Sequence, residues 1–216
     1  MGEIITLDNN SPEIQYLCQK DKRLAKVISM IGSITYETHD EDPYEFLIHE
    51  IIEQMLSVKA GNKIFSRLVE LCNGKISPEI IDSLSIDQIK GIGTSASKAN
   101  FIMGLTHSVL NGELQLNELV NCSDEEVIKR LTSLRGVGMW TAKMYLIFVL
   151  NRSDVLPTED VAFLQSYCWM YKTEDRSTRN ILNKCKKWKP YSSIAARYLY
   201  RALDAGLTKE EFHLFK

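Results

Sequence analysis

The segment 131–160, LTSLRGVGMWTAKMYLIFVLNRSDVLPTED, decides the fold. It divides into a helix end, a Gly-Val-Gly turn, an apolar helix, a loop and an acidic pair. Gly136 and Gly138 permit backbone conformations with positive φ and keep side chains away from a close approach. The helix that follows presents backbone N–H groups and the positive end of its dipole, a combination that binds phosphate without Lys or Arg. On these residues alone, a plain connection between two helices explains the pattern equally well.

The acidic pair Glu159–Asp160 stands directly before an apolar stretch, Val161–Leu164. A carboxylate at such a position is typical of a helix N-cap, where it accepts hydrogen bonds from the first backbone N–H groups. Taken by itself, the position of Asp160 therefore favours a capping role.

The remainder of the chain predicts an all-α architecture. Apolar residues recur at helical spacing in 24–31, 46–56 and 194–203. With a mean helix length of about 11–12 residues, we expect roughly ten helices. Only Glu3–Leu7 is typical of a strand, as an isolated edge or arm. Six helix starts carry a capping signal: Ser11-Pro12, Asp42-Pro43, Ser77-Pro78, Ser85 with Gln88, Ser123 with Glu126, and Thr208 with Glu211.

The charge balance bears on the class of partner. The 216 residues contain 26 Lys and Arg against 28 Asp and Glu, a net charge of −2, which argues mildly against nucleic-acid binding. The charge is unevenly distributed, however. The segment from Lys172 to Arg201 contains nine basic residues and only two acidic ones, Glu174 and Asp175. Aromatic residues interleave with this basic segment and favour an anionic partner: Trp188, Tyr191, Tyr198 and Tyr200.

Several classes of protein are excluded by composition. The five cysteines form no C-x-x-C pair, so neither a zinc site nor an iron–sulfur cluster has its spacing. The longest apolar run, Tyr145–Leu150, is far shorter than the ~20 residues of a membrane-spanning helix. The N-terminus has no secretory pattern. We therefore expect a soluble, intracellular monomer with no membrane partner, cytoplasmic or, in a eukaryote, nuclear.

Four segments in the same order resemble one family. Leu134–Ala142 (LRGVGMWTA) followed by Leu156–Phe163 (LPTEDVAF) looks like the helix-hairpin-helix and aspartate loop of the DNA glycosylase superfamily named for that hairpin. IIEQMLSVKA at 51–60 and KGIGTSASKANFI at 90–102 resemble two further family segments. WKPYSSIAARYLYRAL at 188–203 is similar to the corresponding block of the 3-methyladenine DNA glycosylase II (AlkA-like) branch. Met55 stands where many relatives have a second Gln, and Ser192 where Arg is common.

The resemblance implies an all-α fold of two helical lobes with the active-site cleft between them. Residues 1–216 would form a single glycosylase core. One lobe would comprise 36–150, with the hairpin at 131–150, and the other 1–35 plus 151–216.

The resemblance also assigns roles to individual residues. Asp160 would be the catalytic carboxylate that stabilises an oxocarbenium-like transition state and positions water, with Glu159 as a solvated neighbour. No cofactor would be required, but sodium or potassium would bind the backbone carbonyls of Thr132, Leu134 and Val137. The base pocket would contain Trp140, Tyr200 and Met144, the DNA wedge Gln54 and Met55, and the hairpin contacts to the DNA backbone Gly136, Val137, Gly138 and Thr141.

Some assignments have plain alternatives. Core packing accounts for Trp140 and Tyr200 as well as a base pocket does. Burial on an amphipathic helix is likewise an alternative for Met55. Trp140 also bears on mechanism, because glycosylases that cut the strand carry a Lys at this position for a Schiff base. The sequence therefore favours a monofunctional enzyme, with Lys143 as the weaker alternative nucleophile.

The function implied is base excision repair of double-stranded DNA. The enzyme would flip out a damaged purine, alkylated as in 3-methyladenine, and hydrolyse its N-glycosidic bond. One alternative is a glycosylase for 8-oxoguanine or another oxidised base. A second is a non-catalytic helix-hairpin-helix DNA-binding protein, which leaves the Asp160 segment unexplained. A third is a purely structural helical protein.

Overall fold

The protein is mostly helical, with one small sheet, which confirms the all-α prediction. The structure, a computed structural model, describes residues 3–38 and 42–215. These residues form twelve α-helices, short 3₁₀ turns and one small two-stranded sheet. The elements are β1 (Ile4–Leu7), α1 (Pro12–Lys20), α2 (Lys22–Ile31), β2 (Ile34–Glu37), α3 (Pro43–Glu53), α4 (Val58–Leu71), α5 (Pro78–Asp82), α6 (Ile86–Gly91), α7 (Ala96–Leu110), α8 (Asp124–Thr132), α9 (Met139–Met144), α10 (Val161–Tyr171), α11 (Thr178–Cys185) and α12 (Ser192–Asp204).

The chain forms two compact units. The first contains Met1–Asp40 and Leu150–Lys216, and the second contains Glu41–Val149. The sequence places the lobe boundary at residue 36, inside β2. In the structure β2 stays whole in the first unit, because it pairs with β1.

Local capping chemistry sets most of the helix starts. The side chains of Asp42, Ser77, Ser85 and Ser123 cap α3, α5, α6 and α8, as the sequence predicts. Ser11 occupies the N-cap position of α1, but its hydroxyl accepts a hydrogen bond from the Asp8 N–H at 2.9 Å instead of capping the helix. The sixth predicted start, at Thr208, is wrong because only a 3₁₀ turn, Leu207–Lys209, forms there. Its intended capping partner, Glu211, instead accepts a hydrogen bond from the Lys172 ammonium at 2.5 Å.

The N-terminal strand is not an isolated arm. β1 pairs with β2 in antiparallel register, with Ile4 opposite Glu37 and Leu7 opposite Ile34. The prediction of an unpaired edge is wrong because the four-residue partner strand is too short to give a clear sequence signal.

The core of the first unit is rich in aromatic side chains. Phe163, Tyr167, Trp188 and Tyr198 are all fully buried there. Trp188 and Tyr198 therefore cannot stack on a nucleic acid from the surface. The interpretation of the basic segment as interleaved with accessible aromatics is wrong for these two residues.

A buried carboxylate organises this aromatic core. Asp21, only 2% exposed, accepts hydrogen bonds from the Arg23 and Leu24 backbone N–H groups at the start of α2. Its other oxygen accepts from the Tyr171 hydroxyl and from the Trp188 indole, the latter at 2.9 Å. The Lys187 ammonium lies 3.1 Å from the same oxygen.

The Asp21 contacts oppose the effect of burial on its ionisation. Burial acts to raise the pKa of Asp21, but hydrogen bonds from Tyr171, Trp188 and Lys187 outweigh it, and the pKa lies below its usual value. The arrangement ties α2, α10 and the segment before α12 together through one anion.

The second unit is built around α3. Leu47, Ile48, Ile51 and Ile52 on this helix are completely buried. α3 packs against α4, α7 and the π-helical turn Tyr145–Val149 that continues α9. Among residues 3–38 and 42–215, no helix is long and apolar enough to cross a membrane.

Candidate active site

The Gly-Val-Gly turn joins α8 to α9 in the second unit. Gly136 has φ +94°, in the region that side chains disfavour. A Cβ atom at Gly136 would lie 2.3 Å from Cγ of Phe101, a side chain of α7. Both the conformation and the close approach therefore require glycine at this position.

Gly138 behaves differently from Gly136. Its φ of −99° and ψ of 180° are extended values that any residue adopts, and a Cβ atom there would meet no atom of the described residues within 4 Å. The expectation of positive φ at Gly138 is wrong. As the N-cap of α9, it brings no side chain to the first N–H groups of the helix. The structure thus gives this glycine no internal reason, whereas a close approach by another molecule would supply one.

The other predicted hairpin residues face inward. Val137 is 5% exposed and Thr141 only 1% exposed. Their side chains are part of the protein interior, which leaves their backbone groups as the means of contacting a ligand.

The loop after α3 holds the two predicted wedge residues in opposite situations. Met55 is 100% exposed and has φ +60°, so the alternative of core burial is wrong. Gln54 is half-buried, and its side-chain amide donates a hydrogen bond to the Gly136 carbonyl at 2.8 Å. Gln54 thus braces the loop against the hairpin turn while Met55 projects from it.

Lys98, on α7, belongs to this arrangement and was not singled out from the sequence. Its ammonium donates hydrogen bonds to the Ile52 carbonyl at 2.8 Å and to the Gln54 carbonyl at 2.5 Å. Burial lowers the pKa of Lys98. Its sequence context, SASKANF, offered one signal, a cation in the first turn of a helix where the dipole disfavours positive charge.

Asp160 lies at the start of α10 in the first unit. It is 8% exposed, and its Oδ1 accepts a hydrogen bond from the Phe163 N–H at 2.7 Å. Its own N–H donates to the Pro157 carbonyl at 3.1 Å, which closes the turn before the helix. The capping role expected from the sequence is confirmed. The cap also fixes the carboxylate rigidly at a positively polarised helix end, which favours an anion.

The neighbouring acid is placed differently. Glu159 is exposed, and its Oε1 accepts a hydrogen bond from the Thr158 hydroxyl at 2.9 Å. Two adjacent carboxylates thus have distinct environments, one rigid and buried and the other at the surface.

The predicted pocket residues differ in burial. Met144 is 5% exposed and belongs to the interior of the second unit. Trp140 and Lys143, also in this unit, are half-buried. Tyr200 is half-buried and packs against the core of the first unit. Both aromatic rings are therefore partly accessible, and Tyr200 also packs against the core of its unit.

The carbonyls predicted to hold a monovalent cation lie at the end of α8 and in the turn after it. The Leu134 carbonyl accepts a hydrogen bond from the Val137 N–H at 3.2 Å. Within the described ranges, no hydrogen bond reaches the carbonyl oxygens of Thr132 or Val137. Carbonyls at a helix C-terminus carry partial negative charge, so this donor set is compatible with sodium or potassium.

One further group could hold a metal. His49, Glu50 and Glu53 on α3 place potential ligand atoms within 4.8 Å of one another. His49 Nε2 is already 3.0 Å from the Asn62 side-chain oxygen, an ordinary hydrogen bond.

Comparison with known proteins supports the interpretation of this geometry. The model of the HhH-GPD superfamily of base excision DNA repair proteins matches residues 48–190. DNA-3-methyladenine glycosylase 1 of Schizosaccharomyces pombe is 30% identical over 192 residues, which cover 86% of this chain and 84% of that protein.

Two solved structures are similar over almost the whole chain. A DNA-3-methyladenine glycosidase from Bacillus halodurans has a TM-score of 0.85 and 30% identity, covering 97% of both chains. The 3-methyladenine DNA glycosylase of S. pombe in complex with abasic DNA has a TM-score of 0.83 and 28% identity, covering 90% of this chain and 97% of that one. These similarities confirm the predicted fold and the predicted class of enzyme, a DNA N-glycosylase. The chain belongs to the HhH-GPD superfamily of base excision DNA repair proteins.

Proposed function

We propose that the protein is a monofunctional DNA glycosylase that removes an alkylated purine, such as 3-methyladenine, from double-stranded DNA. Relatives that match most of the chain carry the name DNA-3-methyladenine glycosylase, and a similar structure binds abasic DNA. The protein acts as a monomer and needs no redox or organic cofactor.

The observation that carries this proposal is the Asp160 carboxylate. Hydrolysis of the bond between base and sugar builds positive charge on the sugar in the transition state. A preorganised carboxylate stabilises that charge without reorganising during the reaction, and it can orient the attacking water. The hydrogen bond from Phe163 and the N-terminus of α10 preorganise Asp160 in this way.

Access to the bond requires the nucleotide to leave the base stack. Unstacking costs a few kcal/mol for an intact pair and less for a damaged one. Met55 is the side chain for this task, because other proteins that unstack DNA insert apolar wedges and Met55 is fully exposed. The bare backbone at Gly138 and the first turn of α9 would hold a neighbouring phosphate. Sodium or potassium at the carbonyls of Thr132, Leu134 and Val137 would stabilise that turn.

The pocket proposed for the base is aromatic. A methylated purine carries positive charge on its ring, and aromatic faces attract a cation by about 0.5–2 kcal/mol. Trp140 and Tyr200 are the candidates for these faces, and Met144 is the third residue proposed for the pocket. Trp140 also stands where a Schiff-base Lys would be required, which supports hydrolysis without strand cleavage.

The test compares Asp160→Asn with a matched neighbour, Glu159→Gln, on duplexes containing either 3-methyladenine or 8-oxoguanine. Asn retains an N-cap oxygen, so the variant folds while losing the charge. We expect Asp160→Asn to lower the rate of base release by at least about 100-fold and Glu159→Gln to leave it almost unchanged.

Each part of the proposal has its own contradicting result. An Asp160→Asn protein as active as the native one would exclude the catalytic role. Release of 8-oxoguanine but not of 3-methyladenine would show that the substrate is an oxidised base and not an alkylated one. Strand cleavage without alkali would exclude the monofunctional mechanism.

A further inference from the structure

The C-terminal end of α3 is held by a cation from another helix. A helix leaves its last carbonyl groups without internal partners, and they normally bond to water or to a C-cap. Here the Lys98 ammonium takes the carbonyls of Ile52 and Gln54, at 2.8 and 2.5 Å. Hydrogen bonds from a charged donor are shorter and stronger than those between neutral groups. Lys98 therefore fixes the backbone directly before Met55.

Met55 needs such support because its backbone conformation is uncommon. A φ of +60° at a residue with a long side chain persists only where surrounding contacts enforce it. On one side of Met55, the Gln54 carbonyl is bonded to Lys98. On the other side, the Leu56 N–H donates to the Glu53 carbonyl at 2.9 Å. The side chain of Met55 is fully exposed, so its own contacts do not hold the loop.

The same helix that carries Lys98 also shapes the hairpin turn. Phe101, one turn further along α7, fills the space that a Cβ at Gly136 would occupy. The Gly136 carbonyl in turn accepts the hydrogen bond from the Gln54 side chain. α7 thus contacts both the loop that carries Met55 and the turn of the hairpin, and Gln54 links the two directly.

We infer that Lys98 is a positioning residue. It holds the exposed side chain of Met55 in place for insertion into DNA, at a fixed position relative to the hairpin turn. The inference rests on the proposed function, since it assumes that Met55 enters the base stack. Lys98 itself touches neither the base nor the sugar and acts only through the α3 carbonyls.

The test is a double-mutant cycle between Lys98→Met and Met55→Ala, with Lys90→Met as the control. Lys90 is an exposed lysine of α6 that pairs with Asp87 at 2.9 Å. The first readout is the fluorescence of 2-aminopurine opposite an abasic site, which rises when the stack is opened and does not depend on base release. The second is kcat/KM for release of 3-methyladenine from a duplex.

If Lys98 acts through Met55, Lys98→Met lowers kcat/KM by at least about tenfold, because the loss of even one of its two charge-assisted hydrogen bonds is worth that much. It also lowers the 2-aminopurine signal, whereas Lys90→Met changes neither. In the Met55→Ala background the additional effect of Lys98→Met disappears, because coupled residues are not additive. Lys98→Arg, which keeps a charged donor, restores most of the signal.

Two results would overturn the inference. One is an equal loss from Lys98→Met with and without the Met55 side chain, which would show a purely structural role. The other is a native 2-aminopurine signal in Lys98→Met. Should Lys98→Met not fold, Lys98→Gln, which keeps a neutral donor, enters the same cycle. Failure of the proposed function is distinct, because it appears as a native protein that opens the stack but releases no base.

Discussion

Substitution by alanine should have different effects at the two glycines of the hairpin turn. At Gly136 it should lower the stability of the protein, whereas at Gly138 it should lower the affinity for DNA and leave the stability almost unchanged. Gly136→Ala forces φ +94° on a residue with a Cβ, at a cost of about 1–2 kcal/mol. The new Cβ would also lie 2.3 Å from Cγ and 2.7 Å from Cβ of Phe101, so the side chain or the turn must move. Overpacking of this kind costs about 1–3 kcal/mol. We therefore expect Gly136→Ala to lower the free energy of unfolding by about 2–5 kcal/mol.

Gly138→Ala is the matched control. Its backbone conformation suits alanine, and in the part of the chain that the structure describes no atom lies within 4 Å of the added Cβ. Alanine is a poorer N-cap than glycine, but it also restricts the unfolded chain, so the net change should stay below about 1 kcal/mol. Affinity for DNA should nevertheless fall by about tenfold, because the methyl group would stand where a phosphate approaches the α9 N-terminus.

Urea denaturation followed by circular dichroism measures the first effect. Fluorescence anisotropy of a duplex with an abasic site, at one fixed salt concentration, measures the second. The reasoning fails if the free energy of unfolding of Gly136→Ala is within about 0.5 kcal/mol of the native value, which is the range of an ordinary surface substitution. It fails equally if Gly138→Ala binds the duplex as tightly as the native protein.

Two further predictions concern buried polar groups. Hydrogen bonds from Tyr171, Trp188 and Lys187 hold the pKa of Asp21 below its usual value, so the ionised carboxylate stabilises the fold above the unfolded pKa of about 3.9 and loses this effect as the pH falls through the folded pKa. In urea denaturation Asp21→Asn should therefore cost about 3 kcal/mol at pH 7 and progressively less below about pH 4; a difference independent of pH would contradict this. Among residues 3–38 and 42–215, the buried hydroxyl of Tyr145 has no hydrogen-bond partner, so Tyr145→Phe should raise the free energy of unfolding by about 1 kcal/mol, and a lowered melting temperature would show that the hydroxyl has a partner.

Features decided by neighbouring residues could be predicted from the sequence. A serine or aspartate followed by proline, as at Asp42-Pro43, settles a helix start through contacts within three residues. The Asp160 cap is of the same kind. At Thr208, where the prediction was wrong, the expected capping partner Glu211 instead accepts a hydrogen bond from a residue far along the chain, Lys172. The pairing of β1 with β2 likewise depends on residues about 30 positions apart.

The loop after α3, which contains Gln54 and Met55, shows where hydrophobic periodicity no longer predicts burial. Met55 follows Ile51 by four residues, so helical spacing predicted burial as readily as exposure. In the structure α3 ends at Glu53, and Met55 turns into the left-handed region instead of continuing the helix. The anchor for that ending, Lys98, is 44 residues from Gln54. No local pattern marks such a pair, and a lysine on a helix is usually a solvated one.

The net charge of −2 also needs the structure for its interpretation. Three lysines of the basic segment are paired with carboxylates of the first unit: Lys172 lies 2.5 Å from Glu211, Lys187 lies 3.1 Å from Asp21, and Lys189 lies 3.7 Å from Asp154. Lys184 and Lys187 also lie over the Tyr171 ring, at 5.2 and 5.5 Å. These lysines support the fold of the first unit, so the segment offers less positive charge to DNA than its composition suggests.

The proposed contact with DNA through uncharged groups would resolve the apparent conflict between this charge and the family. Each phosphate neutralised by Lys or Arg releases counterions and makes binding steeply dependent on salt, whatever the sequence or damage. A glycosylase that contacts the DNA backbone through the uncharged Gly138 turn and inserts one apolar side chain, Met55, would gain little affinity for undamaged duplex. Its preference then rests on the cost of extruding a base, which is smallest at a damaged pair. For an enzyme that must leave almost every base untouched, a near-neutral surface is therefore an advantage in discrimination.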